Sequence, residues 1–261
     1  MRKNTTYLRL GCYLSLCLLS SNVSAETQPV SLFQLGNASA LFSGAIEGEM
    51  TFRQLKSKGD FGLGTFNDIQ GEMVALDGEF YKISQKGETL AVDPDWKTPF
   101  VELVKFSQNK VVPVEKIDSY ATLKKLIASE LDNKNIPYAI KVTGTFKFLK
   151  LRSRSPRAAG QAQDVTEETY SVKNMKGTLV GFWFPEYLLS LTVPEFHFHF
   201  ISDNRKISGH VLALQAESLN ISTNKIKQID LTFPQTSVYK NTKITAATMD
   251  KYQNAQMNDQ Q

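Results

Sequence analysis

The chain has 3 histidines, and His197, His199 and His210 lie in one short stretch. His197 and His199 alternate with Phe196, Phe198 and Phe200. A strand sends successive side chains to opposite faces, so both imidazoles share one face and the phenylalanines take the other. Asp203-Asn204-Arg205-Lys206 is a polar, turn-prone link, and His210 opens the next apolar run, where a hairpin brings it to the first pair. Three imidazoles on one patch suit a catalytic Zn2+ site, with three protein ligands and the remaining positions open to water or substrate. A structural site would be closed by a fourth ligand, for which a carboxylate is available. Spacing alone does not choose zinc over nickel, copper or iron; nitrogen-rich ligation without thiolates favours zinc. Half-buried strand histidines are the alternative, which suits one histidine better than three on one hairpin face. No HExxH pattern occurs, which disfavours a hydrolytic zinc enzyme.

The elements that must position these residues are mostly strands. Glu72–Leu76, Glu79–Ser84, Thr89–Val92 and Phe100–Phe106 are β-like runs broken by Asp77-Gly78 and Lys86-Gly87. Helical patterns cover Thr51–Lys58 and a stretch through Leu123, Leu126, Ile127 and Leu131, capped by Asp118 or Ser119. From Tyr138 the chain is strongly β. A long strand holds Ile140, Val142, Phe146 and Leu149, with a bulge where the alternation slips. Tyr170–Val172, Thr178–Phe184, Phe196–Ile201, Gly209–Leu214 and Ile226–Phe233 follow, after a polar surface loop over Ser155–Glu168. The expectation is an α/β (α+β) protein of two domains, 26–136 and 137–261, with mixed and antiparallel sheets and a second half mostly β and metal-binding.

Arg2, Lys3 and Arg9 precede an apolar run from Leu10 to Leu19 and then Val23-Ser24-Ala25. This is the pattern of a secretory signal peptide over residues 1–25, cleaved after Ala25, and predicts a periplasmic or secreted protein. The run is too short for a stable membrane anchor. Leu16 before Cys17 disfavours a lipoprotein signal. Cys12 and Cys17 are the chain's 2 cysteines, so the mature protein has no disulfide or thiolate ligand. Losing three of 30 basic residues against 26 acidic ones brings the charge close to neutral, with nothing to suggest nucleic acid. Oligomeric state is not given by the residues; a homodimer is left open.

Gly59-Asp60-Phe61-Gly62-Leu63-Gly64-Thr65-Phe66, Gly71-Glu72-Met73, Leu76-Asp77-Gly78 and Thr98-Pro99-Phe100 form an ordered series of blocks. Gly177-Thr178-Leu179-Val180-Gly181-Phe182-Trp183, Pro185-Glu186-Tyr187, Val193-Pro194 and the histidine hairpin through Gly209-His210-Val211-Leu212 continue it. In this order, from about Leu32 to Leu214, the blocks resemble the alpha-acetolactate decarboxylase family. The Gly62/Gly64 pair is not a phosphate loop, since no Gly-Lys-Ser/Thr follows.

The resemblance implies zinc-dependent decarboxylation of the small-molecule substrate 2-acetolactate to acetoin and carbon dioxide, through a metal-stabilised enediolate. It implies His197, His199 and His210 as metal ligands, Thr65 near the substrate, and Glu72 and Arg152 as catalytic residues. A guanidinium can hold a carboxylate or stabilise developing charge without titrating, and a carboxylic acid can protonate the enediolate on one face. Read alone, Glu72 is a solvated strand residue and Arg152 part of a solvent-facing basic stretch. Phe182, Trp183 and Phe184 read as core.

The family pattern also places a second active-site glutamate near the C-terminus. This chain has none after Glu217, with Asp250 or Gln253 in the comparable region. Arg154 replaces a small apolar lining residue, Glu195 and Ser208 replace glycines, and Phe184 a threonine. The second reading is therefore a non-catalytic zinc-binding homologue that lost its proton donor and binds a small 2-hydroxy-3-keto acid.

Overall fold

The computed structural model describes residues 29–108, 110–154 and 167–245. The expected signal sequence, both cysteines, most of the expected polar loop, Asp250 and Gln253 lie outside the described residues.

The first half contributes β1 (Val30–Leu35), β2 (Met50–Thr51), β3 (Phe61–Thr65), β4 (Glu72–Leu76), β5 (Glu79–Ile83), β6 (Thr89–Ala91), β7 (Lys97–Thr98), β8 (Val101–Val104) and β9 (Val112–Ile117). Four long strands follow: β10 (Tyr138–Arg154), β11 (Glu167–Phe184), β12 (Glu195–Ser202) and β13 (Ser208–Thr232). The helices are short: α1 (Ala38–Phe42), α2 (Phe52–Leu55), α3 (Tyr120–Glu130) and α4 (Ser237–Asn241).

Strands of both halves join one 11-stranded sheet in the order β10-β11-β12-β13-β1-β8-β3-β4-β5-β6, with β9 on β13. Its β1–β13 pair is parallel. The β10–β11, β11–β12 and β12–β13 pairs are antiparallel. The sheet is mixed, as the fold expectation required. β10 also pairs with β13, so β10 to β13 form a ring of pairings. The alternation slip in β10 is a register shift on either side of Phe146. A further shift at Lys150/Leu151 sets Arg152 opposite His210.

Two apolar layers flank β12. Phe198 and Phe200 pack with Leu123 and Ile127 of α3. Val180 and Phe182, opposite His199 and His197, pack instead with Leu32, Phe61 and Leu63. The strand's alternation thus sends its phenylalanines under the helix and its histidines toward the N-terminal strands.

Ser119, not Asp118, caps α3, its hydroxyl accepting from the Thr122 amide at 3.1 Å. The helix expected over Thr51–Lys58 stops at Leu55: a Thr51/Gln54 capping box starts it, and Lys58 turns back onto the Leu55 carbonyl. That turn delivers Phe61 to β3, where Gly62 passes close to β8; a Cβ there would lie 1.9 Å from the Glu102 carbonyl oxygen.

Candidate metal centre and active site

His199 and His210 are direct partners across β12 and β13, and His197 shares their face two residues earlier. Ring centroids lie 5.0 Å apart for His197–His199, 4.9 Å for His197–His210 and 5.4 Å for His199–His210. One ring nitrogen from each lies within 4.8 Å of the others.

The Nδ1–H of His199 donates to the Met73 carbonyl at 3.1 Å. That bond fixes the tautomer and leaves the lone pair on Nε2. His199 Nε2 is buried and has no hydrogen-bond partner. Nε2 of His197 and Nδ1 of His210 stand 3.2 Å apart.

Burial is the main force holding all three imidazoles below their ordinary pKa, so they are neutral at neutral pH. The neighbouring His199 adds to the effect at His197, and the Arg152 charge adds to it at His210. Neutral, convergent imidazoles, two buried and His197 half-buried, with an orphaned nitrogen are the donor set a transition metal takes. The three residues can hold such an ion.

Glu72 comes from β4 to this cluster, its Oε1 3.7 Å from His199 Nε2 and 3.6 Å from His210 Nδ1. Its Oε2 is buried with no hydrogen-bond partner. Glu72 is 8% exposed, so it is not the solvated strand residue that its local sequence alone suggests. Thr65, directly opposite Glu72 in the β3–β4 hairpin, donates its hydroxyl to the Gly71 carbonyl at 2.8 Å. The hydroxyl braces the backbone that presents Glu72.

Arg152 is also buried rather than solvent-facing, at 2% exposed. Its Nη2 lies 3.4 Å from Nε2 and 3.5 Å from Nδ1 of His210. The guanidinium thus lies almost equally close to both ring nitrogens of His210. Its Nη1 donates to Glu167, the first residue of β11. Glu167 also accepts from Arg154 Nε at 3.2 Å.

A cavity opens beside the histidines. Thr65, Glu72, His197, His199 and Arg154 line its polar side. Leu41 and Phe42 of α1, Leu63, Ile69, Phe100 and Val193 supply its apolar side. Arg152 is not among the lining residues.

The chain matches the alpha-acetolactate decarboxylase family over residues 32–246. The chain belongs to this family. The alpha-acetolactate decarboxylase of Brevibacillus brevis is 36% identical over 239 residues, covering 90% of this chain and 84% of that protein. That of Lactococcus lactis is 32% identical, covering 80% and 89%. The crystal structure of alpha-acetolactate decarboxylase from Bacillus subtilis superposes with a TM-score of 0.81 at 26% identity, covering 88% of this chain and 98% of that one. Membership makes the chain a carbon–carbon lyase of the acetolactate decarboxylase type.

The family departures acquire physical meaning in the structure. Glu195 has φ of 61°, a left-handed conformation that explains glycine at that position. Ser208 is buried and bonded to the Thr89 hydroxyl at 3.0 Å. Phe182 and Phe184 are core, and Trp183 is half-buried against Phe196 with centroids 4.8 Å apart. Sequence reasoning missed Met73, which acts through a backbone carbonyl, and Glu167, which lay in the expected polar loop.

It also missed Glu102. This β8 residue is 1% exposed, directly opposite Gln34 and Leu63 on its two neighbouring strands. Thr192, next to the cavity residue Val193, donates its hydroxyl to the carboxyl. Burial raises the Glu102 pKa to about 8, with the Thr192 bond opposing.

Proposed function

We propose that this chain converts 2-acetolactate to acetoin and carbon dioxide with a zinc ion held by His197, His199 and His210. The single observation that carries the reading is the buried, unpartnered Nε2 of His199 beside two convergent neutral imidazoles. When bound, zinc supplies Lewis acidity to the oxygens on which negative charge develops as the carbon–carbon bond breaks.

The chain's own residues do the rest. The apolar wall of Leu63, Phe100 and Val193 takes the alkyl part of the acid and excludes water. The Arg152 guanidinium adds fixed positive charge next to His210, favouring the anionic substrate and the charged enediolate left by carbon dioxide. Glu72 stands where a carboxyl can hand a proton to the enediolate carbon from the metal side. Thr65 keeps Glu72 in place through Gly71. The signal-peptide pattern of the first 25 residues supports a periplasmic or secreted site for this activity.

The test is acetoin production from racemic 2-acetolactate by purified protein, measured together with metal content. The expected result is zinc near one per chain and acetoin above the spontaneous rate, both lost in a folded His197→Ala variant. Zinc present without acetoin above the spontaneous background would refute the lyase reading.

A further inference from the structure

The first residues of β13 are held on two sides before the strand reaches His210. The turn between β5 and β6 docks against them. The Ser208 amide donates to the Gly87 carbonyl at 2.9 Å, and the Thr89 amide to the Lys206 carbonyl at 3.0 Å. The Thr89 hydroxyl donates to that of Ser208, and the Ser153 hydroxyl of β10 donates to the Gln85 carbonyl of the same turn. The Ser208 carbonyl takes its bond from the other side, from the hydroxyl of Tyr170 on β11.

Tyr170 approaches from the face opposite the histidines. It pairs with Leu151, and Leu151 with Val211, so its ring shares their face; His210 pairs with Arg152 and shares the other. Two glycines make room for the ring. A Cβ at Gly209 would lie 2.2 Å from the Tyr170 hydroxyl oxygen, and one at Gly87 2.2 Å from the ring carbon that bears it. The phenol is thus wedged between the turn and the residue just before His210. Burial, and after it the charge of Glu72, raise the Tyr170 pKa above its ordinary value, so the hydroxyl keeps its proton and stays a donor. A metal ligand is aimed by the groups that fix its own support, and such outer partners are worth about 10–100-fold in metal affinity.

We propose that Tyr170 is a positioning residue of the metal centre: its hydroxyl, on the Ser208 carbonyl, holds the backbone from which His210 is presented, and the Gly87 turn backs the ring. The proposal rests on the reading of the three histidines as the ligand set. Tyr170 is not among the residues that line the cavity, so it acts through Ser208 and Gly209 rather than on substrate. The turn between β5 and β6 thereby becomes part of the metal centre without giving it a ligand. It joins the N-terminal strands to the histidine hairpin at a second place, apart from the bond of His199 to the Met73 carbonyl.

The test reads the metal rather than turnover. Zinc affinity, by competition with a chromophoric chelator, and the visible spectrum of Co2+-loaded protein are compared in wild type, Tyr170→Phe, Gly87→Ala and Thr89→Val. The expected result is zinc affinity about tenfold weaker in Tyr170→Phe, with a changed cobalt spectrum in a folded protein. Gly87→Ala keeps the hydroxyl but displaces the ring, and both readouts should move the same way. Thr89→Val removes a bond to the side chain of the same Ser208 and leaves its carbonyl held. There zinc affinity should stay within about twofold of wild type and the cobalt spectrum should not change, whatever happens to Tm. Wild-type zinc affinity in Tyr170→Phe overturns the proposal, as does equal weakening in Thr89→Val, which is the signature of general loosening. If the phenylalanine variant does not fold, Gly87→Ala decides, and wild-type zinc affinity there overturns the proposal. A wild type that takes up no zinc refutes the ligand set and this proposal with it, whereas a zinc-binding wild type indifferent to Tyr170 refutes the proposal alone.

Discussion

Replacing Glu102 by glutamine should stabilise the protein, and only above acid pH. An unfolded chain ionises this carboxyl near its ordinary value of 4.5, whereas burial in β8 holds it to about 8. Between those values the unfolded state has lost a proton that the native state still carries. The native state is therefore penalised progressively as pH rises from 4.5 toward about 8, by about 1.4 kcal/mol per unit. At about pH 7.5 the penalty reaches about 4 kcal/mol, a large share of the stability of an ordinary domain. Glutamine has the shape of the protonated acid and keeps an oxygen to accept the Thr192 hydroxyl, but it never ionises. The assay is urea unfolding of wild type and Glu102→Gln across this window under matched metal conditions. Subtracting the two curves cancels the histidine titrations that both proteins share. The expected difference is about 4 kcal/mol in favour of the variant at about pH 7.5, shrinking to less than about 0.5 kcal/mol near pH 4.5. A difference that does not change with pH, or a variant less stable at the upper end, would mean that Glu102 is ionised in the fold, and the reasoning would fail.

Two other perturbations address the metal centre. Burial keeps the three histidines neutral below their ordinary value of 6.5, so proton competition should release zinc only on the acid side of that value. Metal content after dialysis at stepped pH should hold at 6.5 and fall only further into acid, and metal lost already at or above 6.5 would contradict neutral, buried imidazole ligands. At Gly181 a Cβ would lie 2.2 Å from the His197 carbonyl oxygen and 2.3 Å from the Phe198 ring. Gly181→Ala should therefore push β12 from β11, lowering stability by about 1–3 kcal/mol in thermal unfolding. It should also weaken zinc binding at least tenfold, and an alanine variant with wild-type melting and zinc affinity would refute that geometry.

The metal hairpin was legible because its information is local. Alternation of histidine and phenylalanine sets two faces, and one polar turn returns the strand; His199 does meet His210 directly. Glu72–Leu76 was legible for the same reason, as a run of strand formers between two turn signals. Where a strand lacks such contrast, the sequence is quieter. β1 has its last four residues buried in succession, so no alternation marks it. β3 is Phe-Gly-Leu-Gly-Thr, whose glycines look like turn residues and instead let β8 approach. β9 contains Pro113, which demotes a strand in isolation but is tolerated where only β13 pairs with it. Gly209–Leu214 and Ile226–Phe233 read as separate strands because polar Glu217, Ser218 and Asn220 lie between them; β13 runs through these positions as far as Thr232, nearly all of it paired. Residue types alone left Glu72 and Arg152 as surface charges. Their burial depends on which strands stack, and that is set by partners distant in sequence. Glu102 shows the limit most clearly, since a charged residue in Val-Glu-Leu-Val signals an exposed alternate position unless both neighbouring strands are known.

β13 also sets the order in which the molecule can be assembled. Its first residues carry His210, and its last pair with β1, whose other neighbour is β8. A chain delivered N-terminus first presents β1 early and must hold that strand without its parallel partner until residue 232 arrives. All three ligands are late arrivals as well, and the Met73 carbonyl that fixes the His199 tautomer waits for them on β4. An ion held by these histidines would therefore be captured in the closing step of folding. Such an ion would pin the seam where the earliest and latest described segments of the chain meet, and its loss should loosen that seam before any other part of the sheet.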